Sequence, residues 1–295
     1  MPNARLPRRP AHRDWNMDAQ QLSFGALLRR WRRQRRMTQI ELALAADSST
    51  RHLSCLETGR AQPSREIVRR LGECLNIPLR DQNTLMLAAG FAPAFLERSL
   101  AELEAAKRAM DSVLKAHLPY PAFAVDRHWN VVLSNSALPQ LYEGCSDDLL
   151  CPPVNAIRLT LHPAGMAPRI LNYAEWRAHT LHLLRNQAEV RADAGIEALL
   201  AEVISYPIPP HAESAQEFDA SQLLATPIRI ATRFGSVSFL NTLTVFGTPS
   251  DVTLAELALE MLFPADGETV EIVKSMELER ASAAPAAEQR PAQTN

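Results

Sequence analysis

Apolar residues recur at helical spacing through the first ninety positions. Phe24, Leu27, Leu28 and Trp31 share one stripe and predict a helix over 23–36. Thr38, with Glu41 three residues on, has capping-box spacing and starts a second helix. Ser49 caps a third helix, whose Leu53 and Leu56 face inward. Ser64 opens a fourth, which stops before Asn76 and Pro78, and 81–89 form a fifth, stopped by Gly90 and Pro93. A long helix is expected over 94–117. There Leu96, Leu100, Leu103, Met110 and Leu114 alternate in steps of four and three, with Lys107 in the remaining seam position. Two readings of it stay open: a short coiled coil joining two subunits, or a connector packed on its own chain.

The texture changes at Leu118. Phe123, Val125, Trp129, Val131 and Leu133 alternate around an Asp126-Arg127 turn, which predicts two strands in a hairpin. Asn135-Ser136 then caps a helix through Leu141. Residues 155–162, 173–187 and 195–205 read as helices, and 207–221 as a polar, Pro-containing loop. A late antiparallel pair, 227–234 and 236–246, turns at Gly235. Residues 256–263 alternate through Leu257, Leu259, Met261 and Phe263 and read as a strand, although Asp251 is able to cap a helix there instead. Glu256 and Glu260 read as one solvated face of that strand.

Charge divides the chain. Residues 1–80 hold 16 Arg, no Lys and seven acids, a net +9, whereas the remainder holds 15 basic and 26 acidic residues, a net −11. A basic amino-terminal third on an acidic body fits one domain that binds phosphate. Cys55, Cys74, Cys145 and Cys151 form no CxxC pair, which reads as reduced thiols in a cytoplasmic protein. The Arg- and Pro-rich start is not a secretory signal, and no apolar run is long enough to span a bilayer. The expected organisation is multi-domain. Residues 1–20 are a disordered basic arm, 21–92 a basic helical domain and 93–117 a linker helix. A sensor domain follows over 118–266, and 267–295 are a mostly disordered tail.

The first module resembles the lambda-repressor-like helix-turn-helix family, in its XRE branch. The resemblance rests on Thr38-Gln39, Glu41-Leu42-Ala43, Ala46, Ser49, Leu53-Ser54, Leu56-Glu57, Gly59 and Pro63-Ser64. The family's turn usually carries Gly-Val where this chain has Asp47-Ser48, and its glycine near the end of the first helix is Arg36 here. Asp tolerates the left-handed backbone that glycine would supply. The resemblance implies an all-α domain whose third helix enters the DNA major groove. Thr38 and Gln39 would then lie against the phosphate backbone, and Ser49, Thr50, Arg51 and Ser54, with Cys55, toward the bases. His52 and Arg60 would meet phosphates. Arg51 is the candidate for a bidentate contact to guanine. The resemblance also pairs Glu57 with Arg32. One module buries too little surface for tight binding, so a homodimer on a palindromic operator is expected.

The second part resembles the MmyB-like ligand-binding domain, which is PAS-like. The matching residues are Tyr120-Pro121-Ala122-Phe123, Asp126-Arg127-His128-Trp129, Asn135, Asn155, His162-Pro163, Asn172 and Tyr206-Pro207. Phe246-Gly247-Thr248-Pro249, Asp251-Val252-Thr253 and Phe263-Pro264-Ala265-Asp266 continue the pattern. This agrees with the α+β sensor domain that the strands enclosing central helices predict. Phe123, Trp129, Tyr142, Trp176, Phe239 and Phe246 are candidates to line an apolar pocket, with Asn135, Arg169 or Asn172 as polar anchors. The same aromatics also suit an ordinary core. His179 and His182, with Glu175, have metal-compatible spacing but no third His or Cys, so no metal or cofactor is expected. No GxSxG elbow or phosphate-cradling glycine loop occurs, which argues against an enzyme. The expected function is a sequence-specific transcriptional regulator that senses a small apolar effector, with a lipid-like molecule among the candidates. The alternative is a DNA-anchored module whose acidic body binds a protein partner.

Overall fold

Capping residues and apolar stripes set out five short helices at the amino-terminal end. The computed structural model describes residues 23–191, 193–212, 226–246 and 251–283. The basic arm expected over 1–20, most of the polar loop and the end of the tail lie outside the described residues. The helices are α1 (Phe24–Gln34), α2 (Gln39–Ala45), α3 (Thr50–Glu57), α4 (Arg65–Cys74) and α5 (Leu79–Ala88). Ser23, Thr38, Ser49 and Ser64 each accept a backbone N–H from the first turn. At Thr38 the box closes fully, with Glu41 accepting from the Thr38 backbone N–H at 2.7 Å.

The carboxyl ends of α1, α2 and α4 share one device. Arg36, Asp47 and Asn76 adopt φ of 55°, 48° and 47°. After Arg36, Met37 N–H donates to Arg32 C=O at 3.1 Å and Arg36 N–H to Arg33 C=O at 2.9 Å, a Schellman closure. The sequence places no glycine at these three positions, yet the backbone takes the left-handed turn that glycine favours. Burial of Leu28, Leu42, Leu53, Leu56, Leu71 and Leu85, all 1% exposed or less, fixes the bundle. Each such side chain contributes roughly 1.5–3 kcal/mol. Gly25 permits the closest crossing: a Cβ there would sit 2.6 Å from Leu56 O and 2.7 Å from Glu57 O, so α1 presses against the end of α3.

The second unit is built on a five-stranded antiparallel sheet. Its strands are β1 (Ala122–Val125), β2 (Val131–Ser134), β3 (Ile228–Thr232), β4 (Gly235–Val245) and β5 (Ala258–Pro264), in the order β2-β1-β5-β4-β3. Around it lie α6 (Glu104–Ala116), α7 (Asp147–Leu150), α8 (Ala156–Leu161), α9 (Tyr173–Arg191), α10 (Ala194–Ile204), α11 (Val252–Ala255) and α12 (Gly267–Ala283). Asp126 makes the β1–β2 turn by accepting from the backbone N–H groups of His128 and Asn130 at 2.8 and 2.9 Å. The sheet is covered on both faces. One face packs Ala122, Ala124, Leu257 and Leu259 against Met110 and Leu114 of α6. The other face, with Val125, Ile228, Phe239 and Leu262, packs against the helical layer.

Several expectations need correction. The helix expected over 94–117 begins only at Glu104. Ala94 and Phe95 donate their N–H groups to Asn83 Oδ1 at 2.9 and 3.0 Å, which commits this backbone to α5 instead. Ser99 and Glu102 then form a local turn, and Leu96 is exposed. The seam positions Met110 and Leu114 are buried in their own sensor domain, which favours the connector reading over the coiled coil. The helix expected through Leu141 is a 3-10 segment, Leu138–Tyr142. Gly235 starts β4, and the turn residues are Arg233-Phe234. Both readings near Asp251 hold in part, because the short α11 precedes β5. The tail assigned from 267 begins as α12. Asp266 accepts from Thr269 N–H at 2.7 Å, and Val273 and Met276 enter the core.

Two substitutions test the helical bundle. Arg36→Gly should raise stability by about 1 kcal/mol, because it relieves a left-handed residue. Gly25→Ala should lower it by about 1–3 kcal/mol, because the added methyl meets backbone rather than a movable side chain. Thermal melts of the full chain measure both.

Candidate functional site

The structure presents two sites, one in each unit. In the helical unit, α3 exposes its first turn. Thr50, Arg51 and His52 are exposed, Ser54 is half-buried, and Ser49 is taken up as the cap. His52 Nδ1 lies 3.1 Å from Ser48 Oγ. Arg60 is exposed beyond the end of α3, and Thr38 is exposed at the start of α2. Together they outline one polar and basic face around a helix-turn-helix.

Beneath that face lies Glu57, whose side chain has no exposed surface. Arg32 grips it with Nε to Oε1 at 2.5 Å and Nη2 to Oε2 at 2.9 Å. Gln39 Nε2 donates to Oε2 at 2.8 Å, and Arg29 Nε lies 3.4 Å away. Burial opposes the charge of Glu57. The hydrogen bonds from Arg32 and Gln39 and the charges of Arg32 and Arg29 outweigh it, so the carboxyl titrates below its ordinary range. The pairing of Glu57 with Arg32 was expected. The part played by Arg29 and Gln39 was not, because their spacing does not show that both meet Glu57. Gln39, assigned to the phosphate backbone, has its amide committed to Glu57.

In the sensor unit, a cavity of about 80 Å³ sits between the sheet and the helices α8 and α9. Phe123, Trp129, Tyr142, Trp176, Ile157 and Leu159 form most of its apolar wall. Phe123, Trp129, Tyr142 and Trp176 thus come together as the sequence reading placed them. The remaining assignments do not. Phe239 is fully buried in the core, and Phe246 packs with the cluster on the other face of the sheet. The three proposed anchors are structural. Asn135 is buried, donating to Leu114 O and Tyr120 O and accepting from Ala122 N–H. Arg169 donates to Leu141 O at 2.7 Å. Asn172 clamps β3, donating to Pro227 O and accepting from Arg229 N–H.

The polar groups that do reach the cavity are Glu260, Asn241, Thr160, Thr180 and His179, with the Tyr142 hydroxyl. Glu260 corrects the solvated-face reading. It is 3% exposed and faces inward from β5, opposite Phe123 of β1 and Leu243 of β4. Burial pushes its carboxyl up to about 7, against a hydrogen bond with Asn241 that lowers it. Burial also raises the Tyr142 hydroxyl. The alternation of β5 was visible in the sequence, but that its second face is covered was not. His179 lies 5.5 Å from Trp176, ring to ring, while His182 bonds Asn186 and Glu175 accepts from Asn172. Among the described residues no group of three His, Cys, Asp or Glu is placed to hold a metal.

A helix-turn-helix joined to an α+β domain with an internal cavity defines the class of a DNA-binding regulator with a receiver domain. Comparison with known families agrees. Residues 23–85 match a helix-turn-helix domain, and residues 106–276 match the MmyB-like transcription regulator ligand binding domain. The chain belongs to this family of MmyB-like transcription regulators. No curated protein matches it. Among solved structures, an RNA-binding light-oxygen-voltage receptor matches at 13% identity and a TM-score of 0.23, over 94% of this chain and 70% of that one. So loose a superposition carries no argument about fold or function.

Acid titration tests the Glu57 brace. Its folded-state pKa is depressed, so its stabilisation is complete above the unfolded value of about 4.3 and is lost as pH falls through the folded value. The midpoint of the wild type should therefore fall more steeply in that acid window than that of Glu57→Gln. The variant should start about 3 kcal/mol lower at neutral pH, because Arg32 loses its charged partner. Thermal melts across pH measure both.

Proposed function

We propose that this DNA-binding transcription regulator reads its operator through the first turn of α3 and is controlled by a small molecule held in the sensor cavity. The observation that carries the reading is the exposed Thr50–Arg51 turn, set on the buried Glu57 brace. Arg51 supplies a fork of donors matched to guanine O6 and N7. Thr38, His52 and Arg60 stand at its edges, where phosphates run. Because one such module buries little surface, we take the bound form to be a homodimer on a palindromic site. The effector is small, with a largely apolar body, and we read the sensor domain as PAS-like. Among the described residues no helix is long and apolar enough to cross a membrane, and a cytoplasmic protein fits this reading.

Population shift supplies the mechanism. An effector changes DNA affinity only by binding one arrangement of the protein better than another. The cavity favours this reading over one in which the acidic body docks a protein partner without a ligand, since a receptor for protein alone has no need of internal space.

Selection from a random duplex pool tests the recognition scheme. Arg51→Ala should bind the wild-type consensus about 1–3 kcal/mol more weakly and lose its preference at one position in each half-site. An unchanged consensus at unchanged affinity would sink the scheme.

A further inference from the structure

The sensor cavity has an apolar wall that carries several hydrogen-bond acceptors. Glu260 offers a carboxyl from β5, and Asn241 lies beside it on β4. Asn241 Oδ1 is buried without a partner, as is Trp176 Nε1 on the facing wall. Buried polar atoms are normally satisfied, so this wall is complete only with an occupant. Thr160 and Thr180 donate their hydroxyl hydrogens to helix carbonyls, to Ala156 O at 2.9 Å and to Trp176 O at 2.9 Å. They therefore turn lone pairs, not hydrogens, toward the space.

The cavity lining includes no Lys or Arg. His179 is held below its ordinary pKa by burial and by His182, so it is neutral at neutral pH. The indole of Trp129 spends its N–H on Gln187 Oε1 at 2.8 Å, which leaves its ring as lining. A carboxyl, an unpaired amide oxygen and two hydroxyl acceptors thus stand among aromatic rings, with no cation of the protein's own. An occupant rich in donors and positively charged satisfies these acceptors, although it leaves the Trp176 N–H unmet, and the rings favour the same charge.

Resting on the ligand-sensing reading above, we propose that the effector is a small primary ammonium with an apolar body. Its head pairs with Glu260 and Asn241, and its body lies against Phe123, Trp129 and Trp176. A cavity of about 80 Å³ limits the body; it is roughly half the ~150 Å³ that admits benzene. The head needs Glu260 ionised, so binding strengthens as pH rises through the carboxyl's value of about 7. The other titratable groups on the wall are Tyr142, from the 3-10 segment, and His179, from α9. Neither carries a charge near pH 7, because burial raises the phenol and lowers the imidazole.

Matched probes on the full chain test the proposal: ethylamine, ethanol and acetate, followed by calorimetry and tryptophan fluorescence. The amine should bind about tenfold or more tighter than the alcohol, as a charge-assisted bond implies, and acetate should not bind. Amine affinity should rise about tenfold from pH 6 to pH 8, following ionisation of one carboxyl, while alcohol affinity stays level. Glu260→Gln should lose the preference for the amine and its pH dependence but keep the alcohol. The wild-type pH series decides the matter if that variant does not fold. Alcohol binding without amine preference, or tighter acetate, overturns the ammonium and leaves the sensing role standing. No binding by any of the three overturns both.

Discussion

A carboxylate taken out of water must be given partners or give up its charge, and the two most buried glutamates among the described residues meet that demand in opposite ways. Glu57 is surrounded by Arg32, Arg29 and Gln39 and keeps its charge. Because those partners sit on α1 and α2, the carboxylate ties three helices together and fixes how α3 is presented. Glu260 has one amide neighbour and no cation, so its charge is held near balance at neutral pH. The first arrangement is closed and structural. The second is open, and an open buried acid beside a cavity is the mark of a site rather than of a core.

The helical unit was legible because its signals are local. Ser23, Thr38, Ser49 and Ser64 announce four helix starts from their own positions. The left-handed turn at Asp47 could be anticipated from residue type, but that at Arg36 could not, since arginine has no intrinsic preference for it. The sensor unit was legible in its elements and much less so in its contacts. The order β2-β1-β5-β4-β3 joins strands more than a hundred residues apart, and no periodicity encodes that adjacency.

The candidate pocket shows where such reading stops. Aromatic residues were placed well, four of the six candidates lining the cavity, because large apolar rings have few other destinations. The polar anchors were misplaced for one reason. Asn135, Arg169 and Asn172 sit next to loops, where side chains are drawn to bare backbone groups, and all three bind carbonyls. Glu260 was passed over because alternation along one strand marks two faces without saying what covers either. Only the helices on both sides of the sheet make its inner face dry.

The first eighty residues carry sixteen arginines and not one lysine. Guanidinium groups stay protonated at any pH a cell reaches, and they are not substrates for lysine acetylation. The attraction of this surface for the duplex thus cannot be dialled down by lysine acylation or by a fall in pH. Arginine is also weakly hydrated and planar, so it gives up water readily at a phosphate or a base edge. A contact surface whose own charge is so fixed cannot itself supply a graded response.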